Sequence, residues 1–430
     1  MNNMKTNIDR INIEHHDSLA SNAVAFMVPG FALGLPSGYS WGAIVLLLTS
    51  LVAWRAWWLR PCKPLTYWWS GSIFLMGMVW SLDAHVGLGW SSLDRTSKYL
   101  LVLPGLFYLM ARPPSLAALR WGVAIGGLGA GTVALYQMFV LNIGRPEGFT
   151  NAIQFGNISL LLALMGGLWL ALRADGMNWK VSFLLGFGVL FGVLGSMLSQ
   201  SRGGWLALGA SLPLWIGLLW YWGRHRLVAY TLVGLCTVTV FAAGAVGGIF
   251  KERILQAYQE SSIYMNRSDE ERANSSVGLR LDYWKLAWAM GKERPWLGWG
   301  DEYTQEKQRR VAAGEAHPRV LELGHAHNEF LDMFSKRGLI GVGALLLFYG
   351  VPMALFWPSK RRCNGGRDAI DRDALALCFV GLSIPVLYLG FGWTQVFFAH
   401  NSGNLFYLLM ISIVYAALQI YAGDHDSTKK

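Results

Sequence analysis

Three arginines and two histidines are set apart in this chain by their neighbours. Arg202 sits in the run Ser199–Trp205 (SQSRGGW) and Arg145 in Gly144–Asn151 (GRPEGFTN). Arg280 sits in Gly278–Met290 (GLRLDYWKLAWAM), and His325 and His327 in Leu323–Gly338 (LGHAHNEFLDMFSKRG). A guanidinium is a planar fork of donors that meets phosphate oxygens in two parallel charge-assisted hydrogen bonds. An imidazole takes up and returns protons near neutral pH. Residues of these two kinds point to an anionic, phosphorylated substrate and a proton-transfer step.

Each has a functional reading and a plainer one. Gly203 and Gly204 remove side chains beside Arg202, so a bulky headgroup could approach the backbone, with Ser199 and Ser201 adding hydroxyls. The plainer reading is an arginine snorkelling at a membrane interface. Arg145 leads into a run holding Gln154 and Asn157, three apart on one helical face. Polar groups are costly in lipid, so that face is expected to line a cavity. The alternative is an idle Arg145–Glu147 pair. Around Arg280, the residues Tyr283, Trp284, Ala287, Trp288 and Met290 recur at near-helical spacing. The plainer reading is a helix lying on the membrane with Trp anchors, which is compatible with a functional Arg280 held at headgroup level.

Asn328 reads as the N-cap of a helix whose apolar face is Phe330, Leu331 and Phe334. A histidine just ahead of a helix start favours the neutral imidazole, because the positive dipole end opposes its protonation. Neutral imidazole is what a general base needs. A His-x-His pair also suits zinc, with Glu329 or Asp332 adding a ligand. Among the remaining histidines His317 and His400 are weak third ligands, so no metal and no cofactor are expected.

These residues must be held by membrane elements. Of the 430 residues, 53% are hydrophobic and only 14% charged, against roughly 25% charged in soluble domains. The apolar runs are continuous rather than alternating, so helices are expected and a barrel is not. The chain reads as an all-α polytopic membrane protein of about twelve spans, near 23–36, 40–54, 65–81, 99–111, 118–141, 152–173, 180–198, 203–222, 227–250, 338–357, 374–392 and 403–422. The first two are short and punctuated by Pro29, Gly30, Gly34 and Pro36, which predicts a bent hairpin. The first 20 residues are polar, with no cleavable leader evident. No clean internal repeat appears.

Lys and Arg in the short loops set orientation. Arg55, Arg60, Lys63, Arg112, Arg120, Arg173, Lys180, Arg224, Arg226 and the basic run Lys360–Arg372 fall after even-numbered spans, so those loops and both termini are expected in the cytoplasm. Residues 1–250 then form a membrane region with spans one to nine, 251–337 a large loop on the non-cytoplasmic side containing short helices, and 338–430 spans ten to twelve. That loop holds basic and acidic residues in equal number, so the net charge of +10 resides in the rest of the chain and is a topological signal. A basic stripe with interleaved aromatics, the mark of nucleic-acid binding, is not what this charge forms. The loop has no cysteine, so no disulfide framework is expected there. It carries two Asn-x-Ser sequons, at Asn266 and Asn274, which read as chance. By this threading, all five special residues fall on the non-cytoplasmic face.

At this point the residues resemble the superfamily of bacterial O-antigen ligases, O-antigen polymerases and related lipid-linked oligosaccharide transferases. The likeness rests on a Ser-Arg-Gly-Gly turn (Ser201 to Gly204) and an Arg-x-x-x-Trp helix (Arg280, Trp284). A Pro-x-x-Gly-x-Gly stretch (Pro295, Gly298, Gly300), a His-Asn-x-x-Leu helix start (His327, Asn328, Leu331) and a Gly-Leu-Ile-Gly run (Gly338 to Gly341) follow in order. Arg145 with Gly148, Asn151, Ile153, Phe155 and Gly156 is similar to a further element of the family, in which Ala152 here replaces a proline.

The resemblance implies a C-type glycosyltransferase fold and an inverting, metal-independent transfer at the periplasmic face of the bacterial inner membrane. The implied donor is a glycan on undecaprenyl pyrophosphate, and the implied acceptor a sugar hydroxyl of lipid A–core. Arg202, Arg280 and Arg145 would hold the pyrophosphate and His327 would act as base. His325, Asn328, Ser201 and Trp284 would support them. The partners expected are these two glycolipids and membrane lipids, with no nucleic acid. Alternatives are a polymerase or protein O-oligosaccharyltransferase of the same superfamily. From another class comes a lipid-linked oligosaccharide flippase, which would carry charges deep within its spans.

Overall fold

The structure is a computed structural model that describes residues 19–82, 94–172, 177–233, 276–322, 324–363 and 370–422. Its described elements are helices and turns, without β-strands. In chain order they are α1 (Leu19–Phe31), α2 (Gly38–Val52), α3 (Pro64–Ser81), α4 (Asp94–Ala111), α5 (Leu116–Phe139), α6 (Ala152–Ala171), α7 (Trp179–Leu198), α8 (Arg202–Tyr221) and α9 (225–233). Then come α10 (Ser276–Glu293), α11 (Tyr303–Ala312), α12 (Glu329–Phe356), the single turn α13 (Lys360–Cys363), α14 (Arg372–Phe391) and α15 (Asn401–Ala422).

Among the described residues, seven helices are long and apolar enough to cross a membrane: α5, α6, α7, α8, α12, α14 and α15. A helix occupies eleven of the twelve expected spans, but α1 and α2 are short. The helix α4 opens on Asp94, Arg95 and Lys98, charges that shorten its apolar stretch. Most of the ninth expected span lies outside the described residues. So do the two sequons, Cys236 and the extreme termini. The first two helices form the expected hairpin: Gly38 and Gly42 of α2 press against Phe31 and Val28 of α1.

The chain divides into two compact units. Unit 1 is Met1–Leu206, Gly343–Phe391 and Phe397–Lys430; unit 2 is Ala207–Val342 with Gly392–Val396. In unit 1 the helices α14 and α15 are the most enclosed, with 83% and 89% of their apolar windows buried. Their hydroxyls find partners inside, as they must in a medium without water. Tyr388 Oη donates to Gly403 O at 2.9 Å, Tyr407 Oη to Phe348 O at 2.8 Å, and Trp69 Nε1 to Ser412 Oγ at 3.3 Å. Around them Trp69, Phe348, Tyr388, Phe398 and Tyr407 pack ring to ring at centroid distances of 4.8–6.3 Å. Each such pair contributes about 0.5–1.5 kcal/mol beyond the area it buries.

Helices α5 and α7 approach backbone to backbone. A Cβ at Gly127 would overlap the carbonyl of Gly188, and one at Gly188 would come 2.7 Å from Ala124 O. Small residues permit this approach, and dispersion between the backbones replaces the hydrophobic drive that lipid removes. Gly127→Leu should therefore cost about 1–3 kcal/mol or more by overpacking, read as a lower melting temperature of the detergent-purified protein. At Gly167 an added methyl would meet nothing within 4 Å, so Gly167→Ala should be tolerated; equal losses at both positions would remove close α5–α7 packing as the cause.

Candidate active site

In unit 1 the site begins at the turn joining α7 to α8. Helix α7 ends at Leu198, and Gln200 takes a left-handed backbone with φ 56°. Ser199 and Ser201 are both buried. Ser199 Oγ donates to Ser196 O at 2.7 Å, and Ser201 N donates to Ser199 Oγ at 3.3 Å. Ser201 Oγ donates to Asn157 Oδ1 of α6 at 2.8 Å. These hydroxyls are turned inward to hold the turn, which corrects the expectation that they face a headgroup. Gly204 is corrected similarly: a Cβ there would come 2.6 Å from Asn157 Oδ1, so its smallness serves contact with α6.

With its polar atoms spent inward, the turn presents Arg202 outward. Arg202 is the exposed first residue of α8 and borders a cavity of about 380 Å³ with Met197, Gln200, Ser201 and Trp205. It forms no ion pair with any described residue. The first amides of a helix have no intrahelical acceptor, and the dipole makes that end positive, so anions favour it.

Arg145 is brought to the same turn. Its Nε donates to Ser199 O at 3.1 Å, and Gln200 Nε2 donates to Gly144 O at 2.9 Å. Arg145 is exposed and makes no pair with Glu147 among the described residues. Its loop is clamped by Gln137 of α5, a residue that its sequence surroundings do not single out. Gln137 Oε1 accepts from Glu147 N and Gly148 N, and its Nε2 donates to Gly148 O, all at 2.9 Å. Gly148 has φ 61° and lies against the Phe155 ring, leaving no room for a Cβ. Asn151 caps α6 by accepting from Ile153 N and Gln154 N. Gln154 and Asn157 are both fully buried within unit 1 rather than lining an open cavity.

Unit 2 holds Arg280, Trp284 and the histidines. On α10, Tyr283, Leu286, Ala287 and Met290 are buried, while Trp288 is 52% exposed and Arg280 and Trp284 are half-buried. Tyr283, Leu286 and Met290 share a small core with Tyr303 and Val320.

The segment Pro295–Gly300 then latches onto the middle of α12. That helix breaks at Gly338 (φ 61°, ψ −159°), a conformation open essentially to glycine alone. Gly298 (φ 67°) faces the Lys336–Arg337 peptide, and Gly338 faces Trp296, neither with space for a Cβ. Three backbone bonds close the latch: Trp299 N to Ser335 O, Leu339 N to Pro295 O and Ile340 N to Trp296 O, at 3.0, 2.7 and 3.3 Å. The two glycine motifs are thus two halves of one joint.

Asn328 caps α12 as expected: its Oδ1 accepts from Phe330 N at 3.0 Å and Leu331 N at 3.1 Å. The face it starts is not purely apolar. Phe330 and Leu331 are half-buried, whereas Glu329, Asp332 and Arg337 are almost fully buried. His325 and His327 stand edge to face, ring centroids 4.5 Å apart, and the Tyr283 ring lies 6.0 Å from His327. His327 has a left-handed backbone (φ 53°), and its N–H points to His325 Nδ1 at 3.4 Å. Among the described residues no group of three His, Cys, Asp or Glu could hold a metal ion.

The loop bearing the histidines is tied down by Asp332. Its Oδ1 accepts from Ala326 N at 3.0 Å, and Lys336 Nζ bridges Asp332 and Gly324 O. The Asp332–Lys336 spacing of four is a helix-face pair legible in sequence, but its grip on Ala326 is not.

Beneath Tyr283 lies Lys307, 3% exposed, its Nζ about 5.5 Å from the Tyr283 and Tyr303 rings. Burial brings its pKa down to about 8, with Lys336 adding to the effect and Asp332 opposing it. Glu306 is held at about 2 by its hydrogen bond from Arg309 and by Arg310, against the opposing effect of burial.

Residues 187–347 match the family model described as O-Antigen ligase. The match contains Ser201, Arg202, Arg280, Trp284, His325, His327 and Asn328, and Arg145 precedes it. The chain is also similar to an uncharacterized protein of Haemophilus influenzae, 28% identical over 341 residues that cover 78% of this chain and 80% of that one.

Removing the Asp332 clamp should free the histidine loop. In Asp332→Ala the Ala326 amide, now bonded to the carboxylate, loses its acceptor at a cost of about 1–3 kcal/mol. Hydrogen exchange should quicken at residues 324–328 while helix α10 keeps its protection. Unchanged exchange in that segment would show that something else secures it.

Proposed function

We propose, from the O-Antigen ligase match over residues 187–347, that this multi-pass helical membrane protein is a glycosyltransferase that moves a glycan from undecaprenyl pyrophosphate to a sugar hydroxyl of lipid A–core on the periplasmic face. The observation that carries the reading is the α7–α8 turn. There Arg145 and Arg202 are both exposed, attached to one turn, and free of carboxylate partners among the described residues. A pyrophosphate asks for paired guanidiniums, and a helix N-terminus adds to their attraction.

The chemistry follows from the groups. The acceptor oxygen attacks the anomeric carbon as the bond from that carbon to the pyrophosphate oxygen breaks. The hydroxyl proton goes to His327, and the leaving undecaprenyl pyrophosphate takes the electron pair. Displacement by one nucleophile inverts the anomeric centre. Charge grows on the pyrophosphate as the bond breaks, so donors aimed at it stabilise the transition state more than the ground state. Arg145 and Arg202 have that role, with Arg280 as the third guanidinium. His325, packed on His327, orients the base. Asn328 fixes the helix start behind it. Trp284 steadies α10, and Ser201 steadies Arg202.

The test is transfer in vitro with purified protein, lipid-linked glycan and lipid A–core. Wild type should yield core-linked glycan with inverted linkage, in the presence of chelators as well. His327→Ala should lose roughly 10²–10⁴ in rate, the range for general-base help, while still inserting in membranes. Arg202→Lys should fall by about tenfold or more, because a lost charge-assisted bond costs about 1.5–3 kcal/mol. Near-normal transfer by His327→Ala would remove it as base. A product in which lipid-linked glycan grows while the core stays bare would replace the ligase reading by polymerisation.

A further inference from the structure

Unit 2 contains a cavity of about 690 Å³ to which none of the roles above belongs. It lies among α10, α11 and the turn at Pro318. Its size is that of a small-ligand site. Its chemistry differs from that of the arginine turn. Asp282, Lys285, Arg310, Glu315 and His317 line it, two cations against two anions with one imidazole. The Arg310 guanidinium is already engaged: Nε lies 2.7 Å from Glu306, Nη2 bonds Glu293, and the side chain is 5% exposed. Such a lining does not select a phosphate.

It does suit hydroxyl groups. A carboxylate is an acceptor with two oxygens and about four lone-pair sites, so Asp282 and Glu315 can each take two hydroxyls. His317 Nδ1 accepts from Arg319 N at 3.2 Å, which leaves Nε2 as the ring's N–H donor. Between these polar groups the floor is apolar, formed by Leu286, Val311 and Val320, which matches the C–H face of a pyranose. The cavity's helix α10 also touches the candidate base. Asp282 immediately precedes Tyr283, whose ring borders His327, and Leu286 lies one turn on in the same small core.

The geometry points to this cavity as a carbohydrate subsite that takes an uncharged sugar residue, in either the acceptor core or the transferred glycan. The choice of glycan rests on the transferase reading, but the site's affinity for sugars does not. The experiment measures equilibrium binding to the full-length, detergent-purified protein. The probes are two lipid-free oligosaccharides, a dephosphorylated core oligosaccharide and the reducing oligosaccharide released from the lipid-linked donor. Asp282→Asn with Glu315→Gln removes the acceptor charge at constant size. Ala289→Trp fills the cavity without touching a charge.

Each variant should weaken at least one probe by about tenfold, equivalent to about 1.4 kcal/mol, at an unchanged melting temperature. Sensitivity of the core probe alone assigns the acceptor, and of the released glycan alone the donor. Binding of neither probe by wild type, or equal binding by wild type and the amide double variant, overturns the proposal. Absence of transfer by a wild-type protein whose sugar binding is lost in the variants would sink the transferase reading and leave the subsite standing.

Discussion

A hydroxyl or amide enclosed in an apolar medium without a partner costs several kcal/mol, and the Ser199 and Ser201 hydroxyls of the α7–α8 turn escape that cost by bonding inward. They bond Ser196 O and Asn157 Oδ1 inside unit 1, while Ser196 Oγ and Asn157 Nδ2 stay buried without a partner among the described residues. The two hydroxyl bonds leave the turn one way to face, with Arg202 outward at the start of α8. The same closure draws in Arg145, because the carbonyl of Ser199 is the acceptor for its Nε. Two guanidiniums that are 57 residues apart in the chain thus depend on a few buried hydroxyls. Serines that look like headgroup donors act as the internal fastening of the site.

Unit 2 solves a different problem, that of holding a loop without a large core. Its core is a few side chains around Tyr283 and Val320. Backbone joints and charge supply the rest. Gly298 and Gly338 meet where neither tolerates a side chain, and three amide bonds close around them. Asp332 reaches back six residues to Ala326 and so holds the residue between His325 and His327. Arg310 is locked between Glu306 and Glu293. The burial of Lys307 beneath Tyr283 carries an electrostatic cost, visible in its lowered pKa. The loop that carries His325 and His327 is thus held by Asp332 and Lys336 as well as by the histidines' own ring contacts.

Under the proposed transferase reading the two units divide chemical labour by charge. The arginine turn exposes cations that no described carboxylate pairs with, and the proposal assigns it the diphosphate. The lining of the unit 2 cavity is balanced and suits hydroxyls. A transferase of lipid-linked glycans needs both kinds of surface, because its substrates are anionic at the lipid junction and hydroxyl-rich beyond it.

The helical class and the positions of most helices were legible in the sequence, because apolar runs of span length leave the backbone no other way to satisfy itself. The N-cap at Asn328 was legible too, since capping is a local interaction between a side chain and amides two and three residues on. What the glycine motifs do was decided by tertiary structure. Gly204 read as room for a ligand and Gly298 and Gly338 only as motif positions, and each proves to be a place where a distant backbone or side chain comes too close for a Cβ. The roles of Gln137 and Asp332 were hidden for a related reason. Their partners are backbone atoms, whose placement depends on how the loops fold back and not on any residue type that a sequence displays.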